Sequence, residues 1–209
     1  PIVMVLTLMK EETQSDQIDY AQHALEQLKQ IISALSEASS VEDSLNSQTP
    51  EPFPITQMLT HYMNNNMMLH KDWELAYHNH LNPELMLLGD GFMIEQMLDK
   101  LLSNAADFSD QKLPITVTTI EKKNTVQIRV ENSGALLPDG VEKQIFEGMT
   151  SHRTLNQDDQ AHLGLGLYIV KLIAQFHQGR VWAENFTHYQ GRALTGVRFI
   201  IELPIWKKL

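Results

Sequence analysis

The sequence contains no cysteine among its 209 residues, so disulfide bonds and thiol catalysis are both excluded. Basic residues are also scarce, since 16 lysines and arginines stand against 26 acidic residues and give a formal net charge of −10. This balance argues against nucleic acid as a partner, because proteins that bind it present clustered lysine and arginine to the phosphate backbone.

Long apolar runs are missing as well. No stretch approaches the ~20 apolar residues that a transmembrane helix requires, and no secretory signal peptide is visible. We therefore predict no direct contact of these residues with a membrane. Because the first residue is Pro1 and not methionine, we expect the sequence to be part of a longer protein, with any membrane anchor outside it.

Residues 1–47 are predicted to form a helical hairpin. The second helix carries a heptad seam, whose apolar members are spaced alternately by three and four: Ile18, Ala21, Leu25, Leu28, Ile32 and Leu35. A seam needs a partner helix along its whole length, and a dimeric four-helix bundle formed by residues 1–44 of two chains provides one. The alternative is that both helices pack onto the rest of the same chain.

The composition changes after the hairpin. Residues 48–54 contain three prolines and are predicted to be a linker. Beyond it, periodicity predicts helices at 55–69, 92–108 and 165–177, and strands at 73–77, 85–88, 115–120, 125–130, 180–183 and 197–203. The predicted fold class is α+β, with residues 55–209 forming an α/β sandwich whose helices cover one face of a mixed sheet.

Two glycines one residue apart, Gly164 and Gly166, stand at the start of an apolar helical run. The free backbone N–H groups and the dipole at a helix start favour phosphate oxygens. Glycine also lets the backbone approach a ligand closely. Taken alone, the pattern fits tight packing between loop and helix equally well.

Three further motifs precede these glycines, at residues 95–109, 130–138 and 145–147. In their order and spacing, the four motifs resemble the N, G1, F and G2 boxes of the sensor histidine kinases of two-component systems. The resemblance implies a dimerisation hairpin followed by an ATP-binding sandwich of the Bergerat (GHKL) type. It also implies ATP and Mg²⁺ as cofactors.

The resemblance assigns roles to residues of each box. Asn104 would coordinate the Mg²⁺ that bridges the nucleotide phosphates, and an amide oxygen suits this hard cation. Asn132 would accept a hydrogen bond from the adenine amino group. The residues that the resemblance predicts to bind ATP are Asn104, Asp107, Phe108, Asn132, Gly134, Leu136, Phe146, Arg153, Leu163, Gly164, Leu165, Gly166 and Leu167.

Four positions depart from the family pattern. Members usually carry Asp where this sequence has Asn132, and a second G1 glycine where it has Leu136. A basic residue is common at the position of Asp107, and related ATPases place a carboxylate base at that of Lys100. A lysine there argues against hydrolysis of ATP by water, and it could instead reach for phosphate. These departures leave open a degenerate module that binds nucleotide, or acts as a scaffold, with little or no kinase activity.

The function implied by the resemblance is that of an ATP-dependent protein-histidine kinase, as the cytoplasmic portion of a membrane-anchored bacterial sensor. It would pass the γ-phosphate of ATP to a histidine, and then to an aspartate in the receiver domain of a response regulator. None of the nine histidines lies in the family's H-E-x-R-T-P acceptor motif, and residues 1–3 (Pro-Ile-Val) are similar to its end. We therefore expect the phosphoacceptor upstream of Pro1.

Overall fold

The computed structural model describes residues 18, 22, 25, 28–29, 31–33, 35–45, 48–147, 165–189 and 191–207. The first helix of the predicted hairpin lies outside these residues, as do the predicted site residues Arg153, Leu163 and Gly164. Among the described helices, none combines the length and the apolar character that crossing a bilayer requires.

The described chain begins with a helix, α1, which includes residues 35–45 and the described positions before them. The elements that follow are β1 (Glu51–Pro54), α2 (Ile55–Leu69), β2 (Leu75–His80), β3 (Met86–Gly89), α3 (Gly91–Phe108), β4 (Ile115–Glu121), β5 (Thr125–Ser133), a 3-10 turn (Val141–Lys143), α4 (Leu165–Phe176), β6 (Arg180–Tyr189) and β7 (Arg192–Pro204). This order places the strands and helices of residues 55–209 close to their predicted positions.

The main sheet has five strands in the order β2-β4-β5-β7-β6. Strand β2 runs parallel to β4, and the other neighbours are antiparallel, so the predicted mixed sheet is confirmed. A second sheet, which the sequence did not predict, pairs β1 with β3. Pro52 and Pro54 are compatible with β1 because this strand lies at an edge, where a missing N–H breaks no ladder on the open side.

The core lies between the five-stranded sheet and the helices. Along β5, Val126, Ile128 and Val130 are fully buried, as period-2 alternation requires for a strand with one covered face. Helix α3 packs against β5 and α4, and its apolar residues recur with helical spacing. The buried members of α3 are Met93, Ile94, Met97, Leu98, Leu101, Leu102 and Ala105.

Helix α1 has two different faces. Ala38 and Val41 are buried in the core that the sheet and the other helices form, so this end of the helix packs on the rest of the chain. The described members of the heptad seam stay exposed, with 40–68% of their surface accessible: Ile18, Leu25, Leu28, Ile32 and Leu35. Packing within one chain therefore buries one side of α1, whereas no described residue of the chain covers the heptad seam.

Three strands, β2, β6 and β7, differ from their predicted boundaries for identifiable reasons. Strand β2 starts at Leu75 and not at residue 73, because Trp73 belongs to a turn in which its ring stacks on His70 at 4.0 Å. Strands β6 and β7 are longer than predicted, because their antiparallel pairing continues past the apolar stretches to the Tyr189–Arg192 pair. Hydrophobic periodicity does not register these more polar ends.

His177 connects the end of α4 to the turn between β3 and α3. The ring is 2% exposed, its Nδ1–H donates to the Ile173 carbonyl oxygen (2.8 Å), and its Nε2 accepts from the Asp90 N–H (2.9 Å). These two bonds require the neutral ring with its proton on Nδ1. The ring also lies where a Cβ of Gly89 would stand, so glycine (φ +153°) is the residue that fits there.

Burial of the His177 ring lowers its pKa below the ordinary value of 6.5. Below that value the unfolded chain binds a proton that the folded chain does not, so stability should fall as the pH drops from 7.5 towards 5.5. We expect His177→Gln, although less stable overall, to lose less stability over this range than the wild type in urea unfolding. The exposed His188→Gln is the control and should keep the wild-type dependence. Equal pH dependence in wild type and His177→Gln would contradict this role.

Candidate functional site

Most of the predicted site residues that the structure describes lie on or next to three elements in contact. Asn104, Asp107 and Phe108 occupy the last turns of α3, which packs against both β5 and α4. Asn132 lies at the end of β5. Gly166 lies in the first turn of α4, where a Cβ would stand 3.8 Å from the Cδ of Lys100 on α3. Motifs that are more than 60 residues apart in the chain thus meet around the second half of α3.

Gly134 joins the end of β5 to the end of α3. Its N–H donates to the Thr195 carbonyl oxygen (3.0 Å), and its own carbonyl accepts from the Thr195 hydroxyl (3.0 Å). A Cβ at this position would overlap the carbonyl oxygen of Phe108, and φ is +154°. Glycine is therefore required here both by the backbone conformation and by the close approach of α3.

Asn132 is 3% exposed, and its side-chain amide is oriented by a local hydrogen bond. The Nδ2 group donates to the carbonyl oxygen of Ser133 (3.3 Å), which supplies the partner that this buried NH₂ needs. The amide oxygen forms no hydrogen bond with a described residue. The side chain therefore presents an acceptor, as the more common aspartate does.

Ser133 and Asp110 fasten the loop after α3 to β5. The Ser133 hydroxyl donates to the Asp110 carboxylate (2.5 Å) and accepts from the Leu113 N–H (3.2 Å), while the Asp110 N–H donates to the Ser133 carbonyl (3.0 Å). Hydrogen bonds from Lys112 and Ser133 lower the pKa of Asp110. Sequence reasoning missed this network, because the only signal was a small polar residue in a turn-like Asn-Ser-Gly stretch.

A polar stripe, defined by Lys100, Asn104 and Asp107, runs along α3. Its members are spaced by four and three residues, so they share one side of the helix. The Asn104 side chain is half-buried and forms no hydrogen bond with any described residue. Its amide oxygen fits Mg²⁺, which takes oxygen ligands and keeps part of its water shell. Asp107 is exposed beyond it.

The remaining predicted residues differ in exposure. Phe108 is 54% exposed and Leu136 is 41% exposed, whereas Leu165 is buried and Leu167 half-buried. Phe146 is also buried and lies edge-on against Phe199, with ring centroids 6.2 Å apart. It therefore anchors its segment to the core.

A metal site built from histidines has no support in the described residues. His78 and His80 lie on one side of β2, as alternation predicts. No group of three or more His, Cys, Asp or Glu side chains among the described residues is close enough together to hold a metal ion.

Comparison with known proteins assigns the fold to a family. Residues 89–207 match the model of the histidine kinase-, DNA gyrase B- and HSP90-like ATPases, and this region is more than half of the chain. The chain belongs to this family. Within it, the domain is of the sensor histidine kinase type, as the order of the four boxes predicted.

Curated relatives of the chain are sensor proteins. It is 26% identical over 202 residues to the sensor protein ChvG of Rhizobium meliloti, which covers 93% of this chain and 35% of the relative. It is 30% identical over 121 residues to the probable sensor kinase SilS of Salmonella typhimurium, covering 58% of this chain and 23% of the relative. The chain thus spans only a quarter to a third of the length of these two proteins.

Solved structures confirm the sandwich fold. The catalytic domain of histidine kinase ThkA superposes with a TM-score of 0.57 at 22% identity, covering 75% of this chain and 96% of that domain. A mycobacterial sensor histidine kinase, MprB, superposes with a TM-score of 0.59 at 20% identity, covering 77% of this chain and all of that one. These superpositions, together with the five-stranded mixed sheet and its helices, confirm the predicted α+β class.

The close approach at Gly134 leads to a test of the site's framework. Gly134→Ala should lower the free energy of unfolding by about 1–3 kcal/mol, because the substitution imposes backbone strain and forces α3 away from β5. Urea unfolding measures this change. Gly166→Ala is the matched control, since its Cβ meets only ordinary contact distance, and it should leave stability nearly unchanged. Similar stability of both variants would show that α3 and β5 are not held together at Gly134.

Proposed function

We propose that this chain is the catalytic core of a sensor histidine kinase. It binds Mg-ATP, transfers the γ-phosphoryl group to a histidine of the kinase, and passes that group to an aspartate of a response regulator. The observation that carries the proposal is the convergence of Asn104, Asn132 and the start of α4 around one segment of α3. These residues offer a ligand for Mg²⁺, an acceptor for adenine and free N–H groups for phosphate.

Adenine recognition falls to Asn132. Because its Nδ2 is engaged by the Ser133 carbonyl, its oxygen is the atom that accepts a hydrogen bond from the exocyclic amino group of adenine. Burial of this side chain makes the bond selective, since a base without a donor there would leave the amide oxygen unpaired. Asparagine can therefore replace the aspartate of the family at this position.

The phosphates lie between α3 and the first turn of α4. The first N–H groups of a helix have no partner within the helix, and the dipole adds partial positive charge. Asn104 would hold the Mg²⁺, whose charge offsets the negative charge of the phosphates. Lys100, one turn before Asn104, cannot act as a base towards water, which favours transfer to a protein nucleophile over hydrolysis.

Positioning and charge neutralisation then account for most of the chemistry. A ring nitrogen of the acceptor histidine attacks the γ-phosphorus, the bond to the β-phosphate oxygen breaks, and ADP leaves. In the second step a carboxylate oxygen of the response regulator takes the phosphoryl group and the imidazole is released. Among solved structures with this fold, ThkA has been captured in complex with the response regulator protein TrrA, at a TM-score of 0.56 and 21% identity to this chain.

The exposed seam of α1 supports a homodimer through residues 1–44. Five described apolar residues of the seam are accessible in the single chain, and a second copy would bury them in a four-helix bundle. The bundle would also present the surface on which the response regulator docks. In the full-length protein this unit would be the cytoplasmic portion of a membrane-anchored bacterial sensor.

Calorimetric titration with a non-hydrolysable ATP analogue tests the nucleotide site. We expect Mg²⁺-dependent binding that Asn104→Ala weakens by about tenfold or more, because the metal loses a protein ligand. Without Mg²⁺, wild type and variant should bind equally. Asn64→Ala, the same change on the exposed side of α2, should bind like the wild type. No binding by the wild type at high analogue concentration would instead favour a scaffold that has lost nucleotide binding.

Sedimentation equilibrium tests the dimer. Leu28→Glu places a charge in the middle of the seam, and we expect it to shift the protein from dimer to monomer. Gln22→Glu adds the same charge at an exposed position of α1 outside the seam and should leave the dimer intact. A wild type that is monomeric at high concentration would mean that the seam is covered in another way.

A further inference from the structure

Lys100 lies between two partners that do not belong to its own helix. Its ammonium contacts the carboxylate of Glu37 on α1 at 2.6 Å, and the two side chains are 30% and 46% exposed. Its aliphatic stem lies beside Gly166 in the first turn of α4, with Cδ 3.8 Å from the position of a Cβ. The lysine therefore stands next to the helix start that we propose for phosphate binding, while its charge is taken up by a carboxylate from α1.

The charges along the polar stripe support a role for this lysine. Asp107 places an exposed acid about one turn after Asn104. Lys100 lies seven residues before Asp107 on the same side of α3, one turn before Asn104. Within the stripe, Lys100 is therefore the residue that offers a positive charge beside Asn104.

Glu37 is held in place by the packing of α1. Ala38 and Val41, one and four residues after Glu37 on the same helix, are buried in the core. One turn further on, the Glu42 carboxylate accepts a hydrogen bond from the Tyr168 hydroxyl of α4 (2.9 Å). The Lys100–Glu37 ion pair therefore forms only when α1 is packed across α3 and α4.

We propose that Lys100 binds the phosphates of the nucleotide. While α1 is packed on α3 and α4 (docked), the carboxylate of Glu37 takes the place of the phosphate beside Lys100. This inference rests on the proposed function. A phosphate on Lys100 would share its single positive charge with Glu37 and repel the Glu37 carboxylate, so nucleotide binding weakens the contact between α1 and α3. Coupling of this kind is reciprocal: a docked α1 lowers the affinity for nucleotide, and bound nucleotide favours release of α1.

The proposal separates phosphate recognition from adenine recognition, so ligands with different numbers of phosphates test it. Calorimetry would compare adenosine, ADP and a non-hydrolysable ATP analogue, all with Mg²⁺, on the full chain. Lys100→Gln should weaken ADP and the analogue by about tenfold or more, as expected for a lost charge-assisted hydrogen bond, and leave adenosine unchanged. Lys100→Arg should retain most of the affinity, because it keeps the charge.

Glu37→Gln tests the competing carboxylate. It should tighten binding of ADP and the analogue by about twofold to fivefold, the range expected for a partly exposed ion pair, with adenosine again unchanged. In the double variant Glu37→Gln/Lys100→Gln this gain should vanish, because the glutamate acts only through the lysine. Lys207→Gln and Asp43→Asn change the net charge by the same amounts at exposed positions and should bind like the wild type.

Several results would overturn the proposal. For Lys100→Gln, these are an equal loss of affinity for adenosine and ADP, or no loss of affinity at all. For Glu37→Gln, they are weaker ADP binding, or a gain in ADP affinity that persists when Lys100 is also replaced. Failure of the proposed function gives a different pattern, in which the wild type binds neither adenosine nor the nucleotides. That pattern would overturn both the proposed function and the inference about Lys100 and Glu37.

Discussion

The structure depends above all on the burial of the apolar face of α3. Ile94, Met97, Leu98 and Leu101 are completely buried between the sheet and the neighbouring helices, which sets the rotation of the helix about its axis. At 3.6 residues per turn, this rotation also determines where every other side chain of α3 points. Lys100 of the polar stripe consequently lies beside the start of α4, and the end of the helix reaches Gly134. A core-packing requirement thus positions groups that are not part of the core.

Helix α1 shows how one element can serve two surfaces. Small and apolar side chains on one side pack on the sandwich, and Glu37 and Glu42 add polar contacts with α3 and α4. The heptad seam on another side remains accessible. Since the polar contacts are partly exposed, they contribute little stability. In our proposal a phosphate ligand competes with the Lys100–Glu37 pair, so a contact that orients α1 also responds to the state of the nucleotide site.

The departures from the family pattern at Asn132 and Asp107 can be interpreted only together with the residues near them. The adjacent carbonyl of Ser133 engages the NH₂ group of Asn132, so under the proposed function its amide oxygen would accept from adenine as the expected aspartate would. Likewise, Lys100, seven residues before Asp107 on the same side of α3, would supply the positive charge that Asp107 does not. Each substitution alone suggests a loss of function, whereas our proposal assigns the acceptor and the charge to these pairs of residues.

The sequence by itself determined the features that repeat over short distances. Period-2 alternation located β4 and β5, helical periodicity located α2, α3 and α4, and four short boxes identified the family. Only the tertiary structure decided contacts between residues far apart in the chain: the β1–β3 sheet, the closure of Gly134 on Phe108, and the Lys100–Glu37 pair. The physical reason is that periodicity reports which side of an element is buried, and does not report which element covers it. A proline-rich strand or a single ion pair has no period, so its partner is known only once the chain is folded.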